Sequence, residues 1–255
     1  MGKIEEHLLD KIRRDGAIHM TLIDPEEEDI KSASKKVAEA ERGGTSAIMV
    51  GGSTAMSVSH LDDITLAVKK TVNIPIILFP SNVAGISRFA DAIWFMSLLN
   101  STNPYFITTA QALSAPLVKK YGLEPLPMGY IIIGEGGAAG LIGQAHLIPY
   151  HMPKIVVAYA LAAQYLGMHF IYLEAGSGAK KPVPQEMVKL VREMTSLPLI
   201  VGGGITNENT AKQIVKAGAD IIVTGTLIEK VSFVEKKVSA IIEGIKSVAK
   251  PKSSN

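Results

Sequence analysis

The sequence predicts a single (β/α)8 TIM barrel, on three observations. Eight short apolar segments alternate with segments of helical periodicity along nearly the whole chain, and this alternation is typical of a parallel sheet with crossover helices. The length of 255 residues matches the roughly 250 residues of a one-domain barrel. Glycine-rich turns follow the last two predicted strands, where such barrels commonly bind phosphate. The alternative is an open doubly wound sheet, which usually has fewer strands and an early glycine fingerprint.

The predicted strands are short runs rich in aliphatic residues, at 17–24, 47–51, 74–79, 92–98, 128–134, 170–174, 198–202 and 220–224. Helices are predicted between most of them, at 26–42, 61–71, 110–120, 153–166, 185–194 and 207–216. Because the segment 3–14 has Ile4, Leu8 and Ile12 on one helical face, we expect it to cover the bottom of the barrel. A last helix near 229–248 precedes the tail PKSSN, which we expect to fray. The whole chain, 1–255, is therefore predicted to be one domain.

Composition excludes several classes of protein. The net charge of +2 is too small to indicate nucleic-acid binding. The absence of cysteine excludes disulfides, thiolate chemistry and Cys-ligated metal sites. No apolar run approaches the roughly 20 residues that span a bilayer, and the charged, amphipathic N-terminal segment is unlike a signal peptide. We therefore expect a cytoplasmic protein with at most peripheral membrane contact.

The strongest local signal is Gly202-Gly203-Gly204, which directly follows a buried strand. Glycine lets backbone N–H groups approach an anion, and Thr206 or Asn207 can cap a helix whose N-terminus favours negative charge. Gly225 and Thr226 follow the eighth strand. Each turn alone is also explained by a tight change of chain direction, but the two together predict a phosphate site.

Two carboxylates are predicted at strand ends that face the mouth of the barrel. Because side chains alternate along a strand, Asp24 shares its face with the inward residues of the first strand. Asp24 is suited to hold Mg2+, and it is equally suited to cap a helix that starts at Pro25. On the sixth strand, Tyr172 and Glu174 share a face, and Glu174 can take a proton from a substrate hydroxyl. A structural ion pair is the other explanation for Glu174.

Five motifs in chain order resemble those of the geranylgeranylglyceryl phosphate synthase family. They are TLIDP at 21–25, VGGS at 50–53, YLEAGSG at 172–178, VGGGI at 201–205 and VTGT at 223–226. The resemblance spans nearly the whole barrel, and YLEAGSG is its most specific part. It implies a Mg2+-dependent prenyltransferase that joins sn-glycerol 1-phosphate to geranylgeranyl diphosphate in ether-lipid synthesis.

The resemblance also implies roles for individual residues. Asp24 and Ser53 would bind Mg2+. Glu174 would hold the glycerol hydroxyls and act as the catalytic base. The glycerol phosphate would be bound by Tyr172, Leu173, Glu174, Ala175, Gly176, Ser177, Gly178, Gly203, Gly204, Gly225 and Thr226. The prenyl chain needs an apolar groove, for which Ile93, Phe95, Met96 and Leu98, or the run 130–133, are candidates, although core packing explains most of them.

Other functions are compatible with the same phosphate turns. A sugar-phosphate isomerase or aldolase would use them, but such sites often carry a strand-end lysine or paired aspartates, and none is predicted here. A phosphate-binding protein without activity would leave Asp24 and Glu174 unexplained. A prenyltransferase with a longer donor is a variant of the favoured prediction. We also expect a homo-oligomer, as is common among such barrels.

Overall fold

The computed structural model describes residues 2–52, 57–229 and 231–252. Eight parallel strands form a closed barrel in chain order, and β1 pairs with both β2 and β8. The strands are β1 (Ile18–Ile23), β2 (Ala47–Val50), β3 (Ile76–Leu78), β4 (Ala92–Leu98), β5 (Glu124–Ile132), β6 (Phe170–Glu174), β7 (Leu199–Gly202) and β8 (Ile221–Thr224). The predicted fold class is confirmed.

Helices surround the barrel and follow most strands. They are α1 (Lys3–Asp15), α2 (Ile30–Arg42), α3 (Val58–Thr71), α4 (Ala110–Tyr121), α5 (Gly137–Ile142), α6 (Pro153–Tyr165), α7 (Gln185–Met194), α8 (Glu208–Lys216), α9 (Thr226–Glu229) and α10 (Val234–Lys246). A π-helix at Tyr105–Thr109 leads directly into α4. The segment 79–91 between β3 and β4 contains no helix, and it contributes loop residues to the mouth of the barrel instead.

Side-chain alternation divides the apolar core into two layers. Inward-facing residues fill the barrel itself, and they include Met20, Met49, Ile77, Trp94, Met128, Phe170, Ile200 and Ile221. Outward-facing residues of the same strands pack against the helices in two further clusters. Trp94 and Phe170 meet edge to face, with their ring centroids 5.1 Å apart, deep in the barrel. The interior is therefore closed by side chains, and space for a ligand remains at one end.

Helix α1 packs at the end of the barrel where the strands begin. Its first amides, on Ile4 and Glu5, each donate to the Glu124 carboxylate at the start of β5, at 2.8 Å. Leu8 and Ile12 are buried in the cluster that fills the barrel interior. Because Leu8 is fully buried, its removal from water is worth roughly 2 kcal/mol.

The chain end approaches the same face of the molecule. The backbone N–H of Lys252 donates to the Arg13 carbonyl at 2.8 Å, and its ammonium group bonds the buried carboxylate of Asp220. The tail that we expected to fray is thus held at Lys252, and residues 253–255 lie outside the described residues.

No helix within the described ranges is long and apolar enough to cross a bilayer.

Candidate active site

A cavity of about 390 Å³ opens at the C-terminal end of the strands. One part is polar and contains Asp24, Glu174 and the glycine turns after β7 and β8. The other part is apolar and is lined mainly by β4, the π-helix region and the segment 79–83. The two parts are continuous, so a ligand with a polar head and an apolar chain can occupy both.

Glu174 ends β6 at the base of the polar part. Its side chain is buried, and its Oε1 accepts a hydrogen bond from the Gly176 N–H at 2.6 Å. The Tyr172 hydroxyl also donates to this carboxylate. Burial raises the pKa of Glu174, and the two hydrogen bonds only partly oppose this rise. No cationic partner is among its contacts within the described chain, so the structural ion pair that we considered is absent.

Three aromatic rings form the wall beside Glu174. Tyr130 and Tyr172 are stacked, with their ring centroids 5.2 Å apart and an interplanar angle of 13°. Phe79 meets both rings edge to face, at 5.6 and 5.7 Å. Burial raises the pKa of both tyrosines well above 10.0, and the Glu174 charge adds to the effect. Both hydroxyls therefore stay protonated, and that of Tyr172 donates to Glu174.

The turn after β7 approaches Glu174 so closely that it needs glycine. Gly203 has φ +80°, and a Cβ there would lie 2.5 Å from Glu174 Oε1 and 2.8 Å from the Gly176 nitrogen. Gly204 has φ +69°, and a Cβ would lie 2.7 Å from the Pro182 nitrogen. Asn207 then caps α8, because its side chain accepts from the Thr210 N–H at 2.9 Å. Of the two caps predicted for this helix, Asn207 is the one present.

The turn after β8 completes the polar part of the cavity. Gly225 and Thr226 line it, and the Thr226 hydroxyl lies 3.1 Å from that of Ser177 in the β6 loop. Gly178 lines the cavity beside Ser177. Hydroxyl and backbone donors from three strand ends are therefore grouped around one space.

Not every predicted glycerol phosphate residue lines the cavity. Leu173 and Ala175 have the outward parity of β6, and their side chains are buried in the layer between strands and helices. Gly176 contributes the amide that Glu174 accepts. Gly176 also leaves room for the neighbouring loop, since its Cβ would lie 2.5 Å from the Gly136 carbonyl carbon. The structure thus places Leu173 and Ala175 in the scaffold behind the cavity.

Asp24 lines the same cavity as Glu174 and lies just beyond the end of β1. One carboxylate oxygen accepts from the Glu26 N–H at 3.0 Å in a local turn. The helix that follows begins at Ile30 and is capped by Asp29, whose side chain accepts from the Ser32 N–H at 2.7 Å. The alternative prediction, that Asp24 caps a helix beginning at Pro25, is therefore wrong.

The surroundings of Asp24 are suited to a cation. Burial raises the pKa of this carboxyl group, and the charges of Glu26, Glu27 and Glu28 raise it further. Its two oxygens occupy the space that a Cβ on Gly52 would need, at 2.4 Å from each. Mg2+ is commonly held by one or two carboxylates together with waters and substrate phosphates. Asp24 fits that pattern, whereas Ser53, the second predicted ligand, lies outside the described residues.

No group of three or more His, Asp or Glu side chains within the described part of the chain could hold a metal ion alone. No lysine or arginine among the described residues lines the cavity either. The polar part thus carries two carboxylates, Asp24 and Glu174, beside hydroxyl and backbone donors of the described residues.

The apolar part includes the four β4 residues that we considered for a prenyl groove, Ile93, Phe95, Met96 and Leu98. Of the run 130–133, Tyr130 alone lines the cavity. Ile132 is buried inside the barrel, and Ile131 and Ile133 pack between the strands and the helices. The prediction missed the segment Phe79–Val83 and residues from the π-helix region and α5, namely Phe106, Gln111, Ala139 and Ile142. No local motif in these segments indicated a site; only the closure of the barrel brings them to its mouth.

Comparison with known proteins gives a consistent result. The model of the PcrB family matches residues 10–245. A geranylgeranylglyceryl phosphate synthase of Thermofilum pendens is 50% identical over 252 residues, which cover 99% of this chain and 98% of that protein. Another, from Thermococcus kodakarensis, is 53% identical over 249 residues, covering 96% and 98% of the two chains.

A crystal structure shares the fold closely. (S)-3-O-geranylgeranylglyceryl phosphate synthase from Thermoplasma acidophilum, solved in complex with sn-glycerol-1-phosphate, has a TM-score of 0.94 and 40% identity. The match covers 97% of this chain and 100% of that one. A thiamine phosphate pyrophosphorylase from Pyrococcus furiosus has a TM-score of 0.61 at 15% identity and shares the fold alone.

Proposed function

Since the chain belongs to the PcrB family and is a prenyltransferase of the geranylgeranylglyceryl phosphate synthase type, we propose that it joins sn-glycerol 1-phosphate to geranylgeranyl diphosphate. The product is an ether, and diphosphate is released. The observation that carries this proposal is the continuity of the cavity. A buried carboxylate between neutral donors lies at one end, and an apolar wall long enough to include most of β4 lies at the other.

In the proposed reaction, Glu174 accepts a hydrogen bond from the terminal hydroxyl of the glycerol. The hydroxyl oxygen attacks carbon 1 of the prenyl chain, the bond from that carbon to the diphosphate breaks, and the proton passes to Glu174. A carboxylate whose pKa is raised by burial is a better base at neutral pH than an exposed one. Tyr172 donates to Glu174 and fixes its orientation.

The phosphate of glycerol phosphate would lie against the turns after β6, β7 and β8. Gly203 and Gly204 allow close approach, and the hydroxyls of Ser177 and Thr226 are both in reach of one anion. The apolar β4 wall would exclude water from the allylic carbon. Asp24 would hold Mg2+, which when bound offsets the charge on the departing diphosphate.

A radiolabel transfer assay tests the proposal. Purified protein is given labelled sn-glycerol 1-phosphate, geranylgeranyl diphosphate and Mg2+, and label in the organic phase is counted. We expect transfer with the sn-1 isomer and not with the sn-3 isomer. We also expect transfer to be lost with a chelator or in Glu174→Gln, and Asp24→Asn to raise the Mg2+ concentration needed for half-maximal rate.

Donors of other chain lengths are included as separate arms. A higher rate with a longer donor would change the substrate assignment and leave the chemistry in place. Failure of transfer from every prenyl diphosphate would refute the proposed reaction.

A further inference from the structure

His19 lies outside the cavity yet is bonded directly to one of its walls. It has the outward parity of β1 and is 1% exposed. Its Nδ1 lies 3.0 Å from the Thr45 hydroxyl, and its Nε2 lies 2.9 Å from the Thr224 hydroxyl. His19 therefore links two chain segments from behind the barrel wall, with one hydrogen bond at each ring nitrogen. We call this pair of bonds the His19 tie.

The protonation state of His19 follows from its burial. Burial lowers the pKa of His19 to about 3, so the ring is neutral and has one N–H donor and one acceptor. The Thr45 hydroxyl has the backbone carbonyls of His19 and Ala47 at 3.2 and 3.4 Å, and it accepts from the Thr21 hydroxyl at 3.2 Å. Each ring nitrogen of His19 thus has one threonine hydroxyl as its partner, and the neutral ring donates to one of them and accepts from the other.

Thr224 is the last residue of β8, and its neighbours hold it on one side only. Towards β1, pairing continues to the end, with Thr224 opposite Thr21. Towards β7, the register ends with Val201 opposite Ile222, two residues before Thr224. Gly225 and Thr226, which line the polar part of the cavity, follow directly. The strand end that carries this turn is thus paired with β1 alone, and the His19 ring bonds it from the outer side of the barrel.

We propose that His19 is a positioning residue for the glycerol phosphate site: its bond to Thr224 fixes the end of β8 so that the turn at Gly225 and Thr226 meets the phosphate. The inference rests on the proposed function, because it takes sn-glycerol 1-phosphate as the ligand of this turn. His19 touches no substrate and transfers no proton. Its contribution is to the affinity for the phosphorylated substrate.

Matched threonine variants separate positioning from simple support of the fold. Thr224→Val removes the hydroxyl that bonds Nε2, Thr45→Val removes the one that bonds Nδ1, and Thr224→Ser keeps the hydroxyl. For each variant, calorimetry measures binding of sn-glycerol 1-phosphate and of inorganic phosphate, and thermal unfolding gives the Tm. Steady-state kinetics give the KM for each substrate separately.

We expect Thr224→Val to weaken sn-glycerol 1-phosphate binding and raise its KM roughly tenfold, the effect of one misplaced hydrogen bond to a charged group. The KM for the prenyl donor should not change, and Thr224→Ser should restore the wild-type values. Thr45→Val should lower the Tm about as much as Thr224→Val does. It should change neither the KM for sn-glycerol 1-phosphate nor the KM for the prenyl donor. Equal effects of the two valine variants on glycerol phosphate binding, or no effect of either, would overturn the inference.

Two substitutions of His19 itself test the same point if a valine variant does not fold. The side-chain amide of Asn reaches the place of Nδ1, whereas that of Gln reaches the place of Nε2. His19→Gln should therefore bind sn-glycerol 1-phosphate more tightly than His19→Asn, and the opposite order would contradict the tie to Thr224. If wild-type protein binds no sn-glycerol 1-phosphate, the proposed function fails, and this outcome is distinct from tight binding that no variant alters.

Discussion

Glu174 combines an energetic cost with a chemical use. A carboxylate buried without a cation is expensive to ionise, and within the described residues the Gly176 amide and the Tyr172 hydroxyl are its hydrogen-bond partners. Its pKa is therefore raised. A buried carboxylate that is destabilised as an anion gains the most stabilisation when a substrate hydroxyl donates a hydrogen bond to it. The proposed reaction requires this contact.

Replacement of Glu174 by Gln should make the protein more stable and less active. Above its raised pKa, the native carboxylate carries a buried charge that Gln does not, so the Tm of Glu174→Gln should exceed that of wild type at pH 8. The difference should disappear below the ordinary pKa of 4.5, where the carboxyl group is protonated in both folded and unfolded chains. Transfer should fall by about 100- to 10,000-fold, as is usual for loss of a general base.

Calorimetric scans of both proteins between pH 4 and pH 8, together with transfer assays, measure these effects. A Tm for Glu174→Gln that stays below wild type at every pH would show that the carboxylate is a net stabilising partner in the fold.

At the scale of elements, the cap of α8 contributes to the stability of the protein and lies next to the turn at Gly203 and Gly204, for which we propose phosphate binding. Asn207 caps this helix directly after the turn at Gly203 and Gly204, just as Asp29 caps α2 away from that turn. Asn207→Ala and Asp29→Ala should each lower the free energy of unfolding by about 1 kcal/mol. Only Asn207→Ala should also weaken sn-glycerol 1-phosphate binding, because the loosened helix start carries the turn with it.

Urea unfolding and calorimetric titration of the two variants provide the comparison. If Asp29→Ala weakens the ligand as much as Asn207→Ala, the effect comes from general loosening of the barrel and not from the turn.

The sequence predicts the elements whose local pattern is uninterrupted. β4, β6 and α7 have the predicted bounds, Ala92–Leu98, Phe170–Glu174 and Gln185–Met194. By contrast, β5 begins at Glu124, four residues before the predicted start at 128. Its first four residues include Pro125 and Pro127, which have no N–H and are uncommon inside sheets. Pairing with β4, which no local pattern reveals, holds these residues in the strand.

Local pattern also gives no signal for α5. The stretch 134–140 contains four glycines, which disfavour a helix, yet α5 starts within it at Gly137. Gly136 is held by its N–H bond to the Ala175 carbonyl, at 3.2 Å. Packing against the β6 loop, rather than propensity, thus forms this helix.

The candidate site also contains some residues that local sequence pattern predicts and others that it does not. Alternation along β6 and the turns after β7 and β8 predicted Tyr172, Glu174, Gly203, Gly204 and Gly225, which all line the cavity. Their positions depend only on parity and on strand ends. The outward position of Leu173 was equally readable from parity, but the family pattern includes it as part of a continuous motif. The apolar wall at Phe79–Val83 depends on a loop that replaces a helix, and sequence periodicity gives no signal for such a loop.

At the scale of the whole molecule, one buried carboxylate joins distant parts of the chain. Asp220, at the start of β8, bonds the Leu199 amide at 2.7 Å and Arg192 at 2.9 Å, and it also bonds Lys252 near the chain end. Arg192→Ala should lower the free energy of unfolding by about 3–5 kcal/mol, since it leaves a buried charge without its better partner. Lys252→Ala should lower it by less than about 1 kcal/mol, because that side chain is 43% exposed.

Chemical unfolding of the two single variants and of the double variant measures both values and their coupling. A larger loss for Lys252→Ala than for Arg192→Ala would mean that the tail, rather than α7, holds Asp220. The homo-oligomer expected from the sequence stays a prediction at this scale, which light scattering of the purified protein checks.

The seam between β1 and β8 also determines when this chain can complete its fold. Ile18 of β1 pairs with Ile221 of β8, so the barrel cannot close until β8 has been synthesised. Until then, β1 and β7 are open sheet edges, which are templates for pairing with other chains. A chain stalled in synthesis before β8 therefore exposes two such edges at once, and we expect it to aggregate more readily than the complete barrel.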